Sequence, residues 1–292
     1  MLHLHQILNG IFMMEANFAS NYLPLIASYI KGESNLLIST NGSAENTDDN
    51  IFFQFAAINN GSYEISEYGT RVRPEDAPEN SVAIINVSGA ITKYDQTCGP
   101  SGMLTKSDIM KRCYANKNIK AIVLRTDSGG GEGNAMFLMI ETINQKNKPV
   151  IGFIDDFACS AAYGILSSCD MIIANSTHAR IGSIGTYITI TDYAERLKNL
   201  GINLIEVYAS VSSDKNREFH EAIKGNLEPV REIANIYNEK LLMSVETGRT
   251  DKLKSGRKEW GTGKVFFSEK AKEHGLIDDI DTFENVLNYF NT

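Results

Sequence analysis

Several signatures are missing from this chain of 292 residues, and each gap removes a class of function. Cysteine is scarce: Cys98, Cys113, Cys159 and Cys169 form no CxxC pair and have no histidine at zinc-site spacing. Zinc modules and a disulfide framework are thereby set aside, and the four thiols read as reduced, in a cytoplasmic protein. Charge of one sign is also lacking. The net charge is −8 with no basic cluster, which argues against a nucleic-acid partner and against adhesion to an anionic membrane. No apolar run approaches the roughly 18–20 residues of a membrane span. The opening MLHLHQILNGIFMMEANF has no basic n-region and no small-residue cleavage site, so no signal peptide is expected. What remains is 42% hydrophobic and 22% charged, an ordinary globular balance.

The pattern divides the chain into an amino-terminal extension, 1–80, and a main domain, 81–292. In the extension, Ile7, Leu8, Ile11, Phe12 and then Leu23, Leu25, Ile26, Tyr29, Ile30 recur at helical spacing, predicting two short helices. STNGSAENTDDN is a polar linker, and residues 52–65 predict a hairpin around Asn59-Asn60-Gly61. RPEDAPEN is the connector. The main domain then alternates: strand 82–87, helix 104–116, strand 121–125, helix 134–145, strand 150–154, a helix opening at Ser160, and strand 171–174. Such alternation predicts an α/β fold with a parallel sheet covered by helices, whose ligands sit at the carboxyl ends of strands. Further on, the pattern predicts a helix over 191–199 and a strand over 204–208. A long helix or broken pair follows over 219–247, interrupted near Gly225 and Pro229, then helices over 268–274 and 283–290.

Two strand ends carry candidate chemistry. Ser160 lies where an apolar strand gives way to ACSAAY, beside the unpaired N–H groups of a helix start. It reads either as an N-cap or as a nucleophile with an anion-stabilising site next to it. Gly129-Gly130-Gly131 follows strand 121–125 and reads as a tight turn, a phosphate loop or a backbone oxyanion donor. No GK followed by Ser or Thr supports the phosphate loop. A serine nucleophile needs a base. Of five histidines, His178 alone sits credibly, in a loop after a strand. Lys215, after the uncharged ASVSS, is the lysine alternative, competing with the ordinary role of a solvated loop lysine.

Six segments, in order, resemble the signal peptide peptidase A (SppA) family of serine peptidases, related to the Clp protease and crotonase-type fold. They are VAIINVSGAIT, IKAIVLRTDSGGGEG with its D/N-S-P-G-G-like turn, FACSAAYGILSSCDMIIAN, IGSIGT, VYASVSSDKNRE, and GKVFFSEKAKEHGLID. Together they span about residues 80–280. The resemblance implies repeated β-β-α and βαβ units and a Ser-Lys dyad, with Ser160 as nucleophile and Lys215 as general base. It implies an oxyanion hole from the Ala161 and Gly130 amides, and a pocket role for Ser183. Protein or peptide substrates, no metal or organic cofactor, and a homo-oligomeric ring are also implied. Three departures stand out. Gly129 replaces the family's usual proline, Ala161-Ala162 replaces Gly-Gly after the serine, and the lysine segment matches loosely. The S-A-A-Y form resembles phage members, which implies head maturation by cleavage of scaffold or capsid precursors. The other readings are a cellular peptidase that degrades signal peptides, acyl-CoA chemistry on the same fold, and a non-enzymatic capsid component.

Overall fold

The computed structural model describes residues 11–14, 53–59, 62–66, 72–96, 99–192, 194–203 and 205–291. Its elements run β1 (Ile11–Met14), β2 (Phe53–Asn59), β3 (Ser62–Ile65), β4 (Ser81–Ser88), α1 (Met103–Ala115), β5 (Ile119–Ser128), β6 (Gly130–Glu132), α2 (Gly133–Asn144), β7 (Val150–Cys159), α3 (Ala161–Leu166) and β8 (Met171–Ala174). They continue with β9 (Arg180–Gly182), β10 (Tyr187–Ile188), α4 (Ala194–Asn199), α5 (Arg217–Ile223), α6 (Glu228–Gly248), α7 (Arg257–Trp260), β11 (Val265–Phe267), α8 (Ser268–His274), β12 (Asp279–Ile280) and α9 (Phe283–Asn288).

The main sheet has the order β11-β9-β7-β5-β4-β2-β3, with β8 also paired to β7 and β12 paired to β8. Strands β4, β5, β7, β8 and β9 pair in parallel, as the alternation of strand and helix patterns predicted. Period-two side chains divide between two faces. Ala83, Ile85, Val87, Ile122 and Leu124 join a core with residues of α1, α2, α3 and α6, while Val82, Ile84, Ala121 and Val123 pack with Val286 and Leu287 of α9. Covering both faces with helices is what allows β4, β5 and β7 to be apolar almost throughout.

Three parts of the amino-terminal side differ from, or fall outside, the sequence reading. Ile11 and Phe12 belong to a strand rather than a helix, because β1 finds backbone partners on both edges. The rest of the two expected helices, and the polar linker, lie outside the described residues. The expected hairpin does form, from Ala56↔Ile65 to Asn59↔Ser62, and β2 continues the main sheet by pairing antiparallel with β4. The sheet therefore extends across the boundary drawn at residue 80.

The carboxyl-terminal half follows its pattern closely except at one place. The long helix is a broken pair, α5 and α6, separated at Gly225 (φ 96°), with Pro229 in the first turn of α6. Helix α8 spans the expected residues and ends at Gly275 in the left-handed region (φ 79°). The strand expected over 204–208 is absent among the described residues 205–208. Ile205 and Val207 are 86% and 89% exposed, and among the described residues no neighbouring strand offers hydrogen bonds, so an apolar run alone does not make a strand there.

Candidate active site

The parallel register brings the two candidate strand ends together. Ser128 at the end of β5 is paired with Ala158 near the end of β7, so the glycine run and Ser160 leave adjacent strands at the same edge. Ser160 is the N-cap of α3 and only 1% exposed. Its backbone has φ 55° and ψ −120°, a conformation that suits glycine far better than serine. Holding a non-glycine residue there costs about 1–3 kcal/mol, and the surroundings enforce it. The Ser160 N–H donates to the Gly182 carbonyl at 2.7 Å, and the Ser160 carbonyl accepts from Gly164 N–H at 2.9 Å. The hydroxyl donates to the Gly185 carbonyl at 3.3 Å. It makes no bond to the backbone of the first turn of α3, so Ser160 is not a side-chain N-cap.

Each wall of this turn needs its residue type. A Cβ on Gly131 would collide with the Ile91 carbonyl, which accepts from Glu132 N–H at 2.8 Å. A Cβ on Gly182 would lie 2.6 Å from the Lys264 carbonyl, which accepts from Ser183 N–H at 2.6 Å. A Cβ on Gly164 would run into Met136 of α2, so glycine lets α3 pack close beneath the turn. From behind, Tyr163 donates its hydroxyl to the Leu276 carbonyl at 2.8 Å. The closing GLID segment thus braces the serine helix. Its Asp278 is tied to Arg249, fully buried, at 2.8 Å, and accepts from Ile172 N–H at 2.7 Å. Burial pushes the Asp278 carboxyl upward, but the Arg249 hydrogen bonds and charge outweigh it and hold the group below its ordinary value.

The other predicted site residues are placed as follows. Ala161 is buried in the first turn of α3, where amides have no intrahelical acceptor. The Gly130 N–H donates to Ser128 Oγ at 3.1 Å, and Ser128 in turn donates to the Gly89 carbonyl at 2.6 Å. The Gly130 carbonyl and the Glu132 N–H both bond to Ile91. By strand alternation the polar groups of Gly131 therefore face the opposite edge. Ser183, half-buried at φ 48°, stands two residues before Gly185. His178 is exposed and hydrogen-bonded to Thr177. Lys215 is exposed in a turn closed by its N–H on the Ser212 carbonyl at 3.2 Å, and its amine does not bond to the Ser160 hydroxyl.

Two groups escaped the sequence reading. Thr186, the last residue of IGSIGT, holds its hydroxyl buried and without a partner, immediately after the Gly185 carbonyl. Its place in that motif was the available signal. Lys106 on α1 is fully buried and donates to the Ser101 carbonyl at 2.6 Å. Burial lowers its amine to about 7, against an upward pull from Asp95. No motif marks it; its position on the inward face of α1, beside Met103 and Met110, was the only clue.

Comparison with known proteins supplies the family. Residues 142–292, just over half of the chain, match the model of Peptidase family S49. Protease 4 of Haemophilus influenzae is 27% identical over 222 residues, covering 72% of this chain and 34% of that protein. The head-tail preconnector protein GP5 of Enterobacteria phage P21 is 25% identical over 224 residues, covering 73% of this chain and 43% of that protein. This chain thus spans about a third of the first and less than half of the second. Among solved structures, an enoyl-CoA hydratase from Shewanella pealeana aligns at 13% identity with a TM-score of 0.43, over 84% of this chain and 74% of that one.

Proposed function

Because this chain belongs to peptidase family S49, we propose that it hydrolyses peptide bonds with Ser160 as nucleophile and Lys215 as general base. The observation that carries the reading is Ser160 itself. It is a buried serine in a strained strand-to-helix turn, with its hydroxyl free of the helix and donating to the Gly185 carbonyl. In the reaction the Ser160 oxygen adds to the substrate carbonyl and its proton passes to the Lys215 amine. The lysine returns that proton to the leaving amine, and water then releases the acyl group. The oxyanion is held by the Ala161 amide and one glycine amide, each worth about 3–4 kcal/mol of barrier. Gly130 is the donor that the motif suggests. In the resting chain its N–H is engaged with Ser128, and Gly131 is the neighbour whose amide faces the edge along which β1 pairs.

Lys215 needs a dry environment to serve as a base, and its exposed position makes that a property of the assembly. Around it, Ile205, Val207 and Val211 are exposed together, which supports burial of this segment by a second copy in a ring. For the substrate we favour scaffold or capsid precursors of a phage head. The similarity to the phage P21 preconnector protein and the S-A-A-Y form of the nucleophile segment support this choice. A fluorophosphonate probe and a co-expressed capsid precursor test both levels. Covalent labelling at Ser160 and precursor cleavage that disappears in Ser160→Ala are expected. An unlabelled Ser160 in the assembled protein would overturn the peptidase reading, and labelling without precursor cleavage would overturn only the substrate.

A further inference from the structure

Apart from the main sheet, β1 lies between β10 and β6 in a small sheet of order β10-β1-β6. It pairs antiparallel with both: Phe12↔Glu132, Met13↔Gly131 and Met14↔Gly130 on one edge, Ile11↔Ile188 and Phe12↔Tyr187 on the other. Both flanking strands lead to the candidate nucleophile. β6 starts two residues after Ser128, which pairs with Ala158 just before Ser160. β10 starts two residues after Gly185, whose carbonyl holds the Ser160 hydroxyl. Being antiparallel to each, β1 runs with its carboxyl end toward Ser160 from both sides. Met13 is partnered with Gly131, the glycine whose amide faces this edge.

We propose that β1 is the chain's own occupant of the peptide-binding groove, seated in the direction of a substrate and withholding Ser160 from other peptides until it is displaced. The proposal rests on the peptidase reading. Without β1, β6 and β10 would face each other across a gap one strand wide, the arrangement that recognises an extended peptide by strand addition. Such recognition uses main-chain hydrogen bonds, so a segment with no special side chains can fill it. Belonging to the same chain gives β1 a high effective concentration, so a contact of only four residues can compete with free substrate. Its short length also keeps it at the low-stability end of the fold, open to displacement.

The test uses the full chain carrying Met13→Pro, which removes the strand N–H opposite Gly131. If the groove is mostly occupied, the variant labels with fluorophosphonate about tenfold faster than wild type or more, and its KM for a peptide substrate falls while kcat holds. A synthetic peptide LNGIFMMEA, copying residues 8–16, should then inhibit it competitively. A new amino terminus at Met14 or Glu15 in wild type but not in Ser160→Ala also counts in favour, since the occupant would then have been cut as a substrate. Equal labelling rates and KM in wild type and in a Met13→Pro chain with an unchanged melting temperature overturn the proposal. Deletion of residues 1–14 with no gain in labelling rate overturns it as well. Should Ser160 label in wild type and variants alike at one rate, only the occupancy fails. If it labels in none, the peptidase reading fails with it.

Discussion

The frame around Ser160 and the segment bearing Lys215 are built on opposite terms. Residues 150–185 are largely buried, hydrogen-bonded along both strand edges and pinned at Gly182, where φ 117° and the Lys264 carbonyl leave no room for a side chain. Residues 205–217 form no strand, expose Ile205, Val207 and Val211, and contain no fully buried side chain. The two halves of the proposed dyad therefore differ in what holds them. One is fixed within a single chain; the other sits on apolar surface that a single chain leaves in water. Burying such surface stabilises by about 25 cal/mol per Å², so under the proposed assembly a second copy would supply what a single chain does not.

Perturbations should separate the two regions, with the largest effects first. Ser160→Ala is expected to reduce kcat on the order of 10⁴–10⁶-fold, read by peptide hydrolysis, without loss of the folded state. Ser160→Gly should abolish activity equally yet be more stable than Ser160→Ala by about 1 kcal/mol in denaturant unfolding, because glycine relieves the strained turn. Asp278→Asn leaves the buried Arg249 without its countercharge and should cost about 3–5 kcal/mol, which would disrupt the frame and labelling together. Lys215→Ala, by contrast, should eliminate hydrolysis while shifting stability of the isolated chain by no more than about 0.5 kcal/mol, as expected of an exposed side chain. A large melting-temperature drop there would erase the contrast between the regions.

A further expected effect concerns pH. The Lys106 amine is lowered to about 7 in the folded chain by burial. The unfolded chain then binds more protons between about 7 and the ordinary lysine range near 10.4, so stability rises with pH across that window. Lys106→Met, similar in volume, should remove this rise in urea midpoints measured from pH 7 to pH 10. A slope that persists in the variant would show that other groups cause it. Asp278 acts in the opposite range. Its carboxyl is held below the ordinary aspartate value, so its contribution is present at neutral pH and is lost as pH falls below about 4.

Much of the fold was legible because its strands and helices bury themselves. The apolar runs of β4, β5 and β7 and the helical spacing of α1, α2 and α8 carry their own partners. The hairpin of β2 and β3 could be read from turn chemistry. The failures share one cause. The 204–208 run has β-type residues and no strand to pair with, whereas Ile11 and Phe12 have helical spacing and two strands waiting on either side. Spacing in the chain cannot register a partner that lies about 120 or 175 residues away.

By itself, then, the sequence determined the alternation that makes a parallel sheet, the strand end where Ser160 appears, and the glycines that must line it, because these follow from local periodicity and the size of a side chain. Tertiary structure decided where the glycine amides point, since Ser128 takes the Gly130 N–H while Ile91 turns Gly131 toward the edge that pairs with β1. It also decided that Lys106 is the buried amine and Lys215 the exposed one, and that β1 lies between β6 and β10. Hydrogen bonds and burial are properties of neighbours in space, and only the folded chain assigns those neighbours.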